Sequence, residues 1–191
     1  MKVGLFFGSF NPIHLGHLVI AEAMADQTDL DQVWLVVSPH NPLKPKAQLL
    51  NEVDRLHLCE LALAGNERVR ASNVEFALPK PSYTIDTLGV LSARYPRTSF
   101  CLIMGADNLA SLHRWKNYEA IVAHYPIYVY PRPGVELPSV HHPHVRLVEA
   151  PLMGISATRI RQLLAQGRSA RYLVPDPALH YIQSRHLYGH P

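Results

Sequence analysis

Short apolar runs alternate with helix-patterned segments along this chain, and that alternation limits its folds more than any other feature. KVGLFF (2–7), QVWLVVS (32–38), VRASNVEF (69–76), SFCLIMG (99–105), PIYVYP (126–131) and VRLVEAP (145–151) read as strands. Most are apolar at consecutive positions, the mark of a strand covered on both faces. The segments at 15–27, 51–65, 84–95, 106–112, 116–124, 156–167 and 175–186 carry helical spacing. Asn51, Thr84 or Ser82, and Ser156 stand where N-caps are expected, and Gly65, Pro96 and Gly167 where helices should stop. Strand–helix alternation of this kind predicts an α/β fold: a Rossmann-like, mostly parallel sheet with helices on both faces. No repeat or linker divides residues 1–191, so one domain is expected, with a helical segment from about 156 to 188 packed on it.

In such a sheet the ligand lies beyond the carboxyl ends of the strands. Residues 8–17, 38–46, 105–115, 131–134 and 151–161 all follow strands and should gather on one edge. A net charge of +3 is too mild for bulk nucleic-acid binding but suits a site for small anions. No apolar run approaches the length of a membrane helix, and Met1-Lys2 runs straight into a strand without a signal peptide. Cys59 and Cys101 fit no zinc or redox spacing and read as small buried hydrophobes. A cytoplasmic protein without membrane or nucleic-acid partners is expected. The oligomeric state is not fixed by the sequence, and a homo-oligomer is compatible with it.

The first of these junctions, GSFNPIHLGH (8–17), lacks both common glycine-rich phosphate motifs yet keeps their physics. Gly8 lets the backbone turn tightly, and Gly16 sits at the mouth of a helix whose free N–H groups favour phosphate. His14 and His17, three apart, can present imidazole donors on one side. Two readings compete: the pair caps and packs a helix, or it ligates a metal. A metal needs a third ligand, and the nearest supply, HHPH at 141–144, lies in a proline-rich stretch.

GSFNPIHLGH resembles the GxFxPxHxGH signature of the HxGH nucleotidyltransferase superfamily, and ISATRIR (155–161) its ISxTxxR element. The two stand in order, about 140 residues apart, each at a strand-to-helix junction. PSYTIDTL (81–88), IMGADNL (103–109), HRWKNYEAI (113–121), YPRPG (130–134) and LVPDPALHYIQSRHLY (173–188) further resemble the nicotinate-nucleotide adenylyltransferase family. The resemblance runs from about residue 3 to residue 188 and implies adenylyl transfer from ATP to nicotinate mononucleotide, with Mg²⁺ held by the ATP phosphates rather than by protein ligands.

By this resemblance Gly8, Ser9, Phe10, His14, His17, Gly105, Asp107, Ser156, Thr158 and Arg161 bind ATP, with His14, His17 and Arg161 catalytic. Ser9, Lys44, Tyr83, Thr84, Trp115, Lys116 and Arg132 bind the mononucleotide. The chemistry fits these residue types. A nucleotide phosphate is already largely dianionic near pH 7, so it attacks without a general base. What remains is alignment of two anions and stabilisation of charge by donors and cations. Trp115 offers an indole face to a flat ring, and the helix start at Thr84 offers N–H groups to a carboxylate. Each residue also has a plainer reading: capping for Ser156 and Asp107, core packing for Trp115, solvent for Arg132. The motif departs from its common GGTFDP form at Phe7 and Asn11; Phe7 resists the positive φ a glycine would allow. Lys116 stands where a second aromatic is common and offers the nicotinate carboxylate a cation. Three alternatives stay open: an adenylyltransferase for phosphopantetheine, one for nicotinamide mononucleotide, or a non-catalytic nucleotide-binding module. The proline- and lysine-rich stretch 39–48 is a candidate mobile cover.

Overall fold

The computed structural model describes residues 1–39, 49–135 and 142–189. Its sheet comprises β1 (Lys2–Gly8), β2 (Gln32–Val37), β3 (Val69–Ser72), β4 (Ser99–Gly105), β5 (Ile127–Tyr130) and β6 (Val145–Leu147). The strand order is β3-β2-β1-β4-β5-β6, and every pairing is parallel. The helices are α1 (Leu15–Gln27), α2 (Glu52–Ala62), α3 (Thr84–Arg94), α4 (Ala106–Ala110), α5 (Tyr118–His124), α6 (Ala157–Ala165) and α7 (Asp176–Ser184).

The apolar runs are doubly buried because successive side chains point to opposite faces. Val33, Leu35 and Val37 of β2 and Cys101 and Ile103 of β4 enter one core with Met24 of α1, Leu58 of α2, Ile160 of α6 and Ile182 of α7. Trp34 and Val36 of β2, with Phe100, Leu102 and Met104 of β4, enter the other with Leu88 of α3, Leu109 of α4 and Ile121 of α5. The carboxyl-terminal helices α6 and α7 thus share the core of α1 and α2. Among the described residues no helix is long and apolar enough to cross a membrane. Cys59 and Cys101 are buried free thiols, and burial raises the pKa of both, that of Cys101 to about 12.

Strand order reverses between β1 and β4, since the chain proceeds outward from β1 in one direction and from β4 in the other. The loops after these strands diverge and leave a crevice at their carboxyl ends.

Several local expectations are corrected. The run 69–76 is not one strand: β3 ends at Ser72 and a 3₁₀ turn covers Val74–Ala77. Asn51 and Ser156 cap α2 and α6 through their side chains. Neither Thr84 nor Ser82 caps α3; its N-cap is Tyr83, and the Ser82 hydroxyl donates to Glu75 instead. In the first motif positive φ falls at Phe10 (44°), not at Phe7, which lies within β1. Gly8 is needed for close approach, since a Cβ there would lie 2.7 Å from the Phe10 ring.

Candidate active site

The first motif folds as the end of β1, a turn, and the start of α1. Phe10 sends its ring into the core, edge-on to Phe6 and His17. His14 is the N-cap of α1, and its ring stacks on His17 with centroids 3.6 Å apart. The His14 backbone N–H donates to His17 Nδ1 at 3.3 Å. An accepting Nδ1 places the His17 proton on Nε2, so His17 presents an N–H donor on its far edge. His14 is only 6% exposed, and among the described residues its Nδ1 has no hydrogen-bond partner. Burial, with the Arg132 guanidinium nearby, holds His14 at about pKa 4. At neutral pH it is therefore an uncharged donor, not one of the site's cations.

The second motif reaches the first through backbone. Arg161 Nη1 donates to the Asn11 carbonyl at 2.8 Å across a separation of 150 residues. Its Nη2 lies 3.4 Å from Thr158 Oγ1. Leu15 N–H, at the α1 mouth, donates to the Leu173 carbonyl at 2.9 Å. A Cβ on Gly16 would lie 3.1 Å from the His14 ring and 3.5 Å from Met153 Cβ. Segments from both ends of the sequence therefore meet at the loop carrying the histidines. Ser156 caps α6 by accepting from Arg159 N–H, and the Arg159 residue itself is exposed.

Two cavities flank this junction. One of about 530 Å³ is lined by Gly8 and Ser9 after β1, Tyr83 and Thr84 at the start of α3, Asp107 of α4, and Trp115 and Lys116. It unites residues expected for both nucleotides. A second, of about 550 Å³, is lined by Thr158, Arg161, Gln162 and Tyr188 among others. Neither imidazole lines either cavity; the two sites' residues are joined by the Arg161–Asn11 contact.

Asp107 is not an N-cap but the second residue of α4, and its carboxylate pairs with Arg132 Nε at 3.3 Å. Gly105 leaves room for that pair, because a Cβ would collide with both side chains. Arg132, expected at the mononucleotide, pairs with Asp107 and is not among the residues lining the cavity of Tyr83, Thr84 and Trp115. Lys116 Nζ pairs with Asp86 at 2.9 Å and lies 4.8 Å over the Tyr83 ring. Trp115 lines the cavity, and its buried Nε1 has no partner among the described residues. Lys44 and residues 40–48 of the candidate cover lie outside the described residues.

Sequence reasoning missed two buried charges. Arg55 of α2 is fully buried and donates to four backbone carbonyls: Leu50, Ser9, Ser38 and Pro39. Burial lowers its pKa, but a guanidinium stays charged. It clamps the loop after β1 to the loop after β2. The signal was present: Arg55 shares a helical face with Leu58 and Cys59, three and four residues on. Glu75, 2% exposed, lies in the wall of the first cavity and was concealed by the expectation of a strand.

A switch-point crevice, an HxGH turn at its first strand and an arginine of a distant ISxTxxR helix docked on that turn define a nucleotidyltransferase-type α/β site. The family model described as cytidylyltransferase-like matches residues 5–163. Probable nicotinate-nucleotide adenylyltransferases of Cytophaga hutchinsonii and Flavobacterium psychrophilum are 55% and 47% identical to this chain, with 99% and 98% of the chain and 99% of each relative covered. The chain belongs to the nicotinate-nucleotide adenylyltransferase family, within that cytidylyltransferase-like group. Its fold is that of Plasmodium falciparum nicotinic acid mononucleotide adenylyltransferase complexed with NaAD, at TM-score 0.85 and 16% identity, covering 100% of this chain and 98% of that one. The same enzyme complexed with APC gives TM-score 0.84 over the same spans.

Proposed function

We propose that this chain transfers the adenylyl group of ATP to nicotinate mononucleotide, giving nicotinate adenine dinucleotide and pyrophosphate, in the cytoplasm and as a step of NAD biosynthesis. A phosphate oxygen of the mononucleotide attacks the α-phosphorus of ATP. The new O–P bond forms as the bond to the β-phosphate breaks, and pyrophosphate leaves with the bonding pair. No proton need be removed from the attacking dianion, so donors and position supply the catalysis.

The carrying observation is the juxtaposition at the crevice. An aromatic-walled cavity opens beside the HxGH turn, and Arg161 is held on that same turn. His17 donates its Nε2–H toward charge developing at the α-phosphate, and neutral His14 adds a buried donor. Ser156, Thr158 and Arg161 serve the outer phosphates at the start of α6. Imidazole and guanidinium are poor ligands for a hard cation, so a Mg²⁺ ion would be carried by the ATP phosphates rather than by these side chains and would supply charge neutralisation to the leaving group. In the cavity the Trp115 face stacks on the pyridine ring. The first N–H groups of α3 have no intrahelical acceptor, and with the helix dipole they favour a carboxylate over a neutral amide.

The test is pyrophosphate release by purified protein with ATP and Mg²⁺, offered nicotinate mononucleotide, nicotinamide mononucleotide or phosphopantetheine. Nicotinate mononucleotide should be preferred by more than about tenfold in kcat/KM, a difference of about 1.4 kcal/mol. Release with phosphopantetheine alone would overturn the assignment.

A further inference from the structure

Glu75 is a buried carboxylate in the wall of the cavity assigned above to the mononucleotide, and among the described residues no lysine or arginine pairs with it. Its partners are hydroxyls. Ser82 Oγ donates to Oε2 and Thr87 Oγ1 to Oε1, both at 2.8 Å. Thr87 is fully buried on α3 and does not line the cavity, whereas Ser82 and the following Tyr83 and Thr84 do. Thr87 Oγ1 also lies 3.3 Å from the Tyr83 carbonyl, but one hydroxyl carries one proton, and the shorter bond to a charged acceptor wins. The carboxylate therefore spans two points seven and twelve residues downstream, on either side of Tyr83 and Thr84. A third brace, the Lys116–Asp86 pair, is half-exposed and contributes little.

This geometry is costly unless it serves something. A carboxylate beside a cavity that takes an anionic ring repels that ligand through space, yet here both its oxygens are spent on aligning the first turn of α3. We propose that Glu75 is a positioning residue for mononucleotide affinity. By holding Ser82 and Thr87 it fixes the free N–H groups of the Thr84 turn at the cavity wall, and it acts on the acid end of the acceptor and not on ATP. The proposal rests on the functional reading above.

Electrostatics and positioning predict opposite signs, which makes the test sharp. Removing the charge without moving the turn would tighten binding of an anionic acceptor; loosening the turn would weaken it. Glu75→Gln, Thr87→Val and Thr87→Ser are compared with wild type for the KM of each substrate, kcat and thermal midpoint. Glu75→Gln and Thr87→Val should raise KM for nicotinate mononucleotide about tenfold, the scale of one lost hydrogen bond to a charged group. KM for ATP should stay within about twofold. Thr87→Ser, which keeps the hydroxyl, should restore wild-type KM. The kcat/KM preference for the acid over the amide acceptor should shrink in the same two variants. A lower mononucleotide KM in Glu75→Gln, or a drop in kcat with both KM values unchanged, overturns the proposal. Should Glu75→Gln fail to fold, the Thr87 pair decides. Wild-type protein inactive with nicotinate mononucleotide would instead sink the functional reading, so the two failures are distinguishable.

Discussion

His14 and His17 answer to different physics although they stack face to face. His17 has its proton placed by the backbone, because the His14 N–H occupies Nδ1. His14 is kept neutral by burial and by Arg132. That second fact has a consequence for stability. The unfolded chain protonates this imidazole near pH 6.5, the folded one only near 4, so the unfolded state binds more protons between those values. Stability attached to His14 is present above about pH 6.5 and is lost as pH falls toward 4. A shift of this size corresponds to about 3 kcal/mol at its limit. Urea titrations at pH 7 and pH 4.5 should therefore show a larger acid loss in wild type than in His14→Asn. Equal losses would show that His14 is not the group responsible.

Arg55 sets the problem at the scale of elements. Two strand-end loops and the lead into α2 each turn a carbonyl toward the same guanidinium, and no carboxylate shares it among the described residues. Removing the donor would strand buried acceptors, at a cost of at least about 3 kcal/mol. Arg55→Ala should thus lose that much in urea denaturation, and Arg55→Lys should recover only part, lacking the planar fork. A loss below about 1 kcal/mol would mean that the loops hold without the clamp. The elements themselves were legible because double burial and helix spacing are written in adjacent residues. Their joints were less so. Ser82 looked like a cap, since sequence distance alone cannot tell that a carboxylate seven residues earlier folds back to claim its hydroxyl. Lys116 looked available to a substrate, and only the fold brings Asp86, thirty residues away, against it. Arg132 was read by its place after β5, whereas its neighbour in space, Asp107, stands on α4.

Across the whole molecule, the parallel sheet turns sequence distance into proximity. Strand order 3-2-1-4-5-6 sets the ends of β1 and β4 side by side and leaves α6 free to lean on the β1 loop. The candidate site was legible at its motif residues because each motif follows a strand, and the sheet delivers every strand end to one edge. What could not be read was which contact joins the motifs, a side chain to a backbone carbonyl at Asn11. In the proposed reaction His17 and Arg161 act on one triphosphate. A double-mutant cycle on kcat/KM for ATP, using His17→Asn, Arg161→Met and the double variant, tests it most directly. Each single change should lower kcat/KM about a hundredfold or more, and the double should lose less than the product of the two, since both act in one transition state. Strictly multiplicative losses would place the two groups on separate events and contradict the shared site.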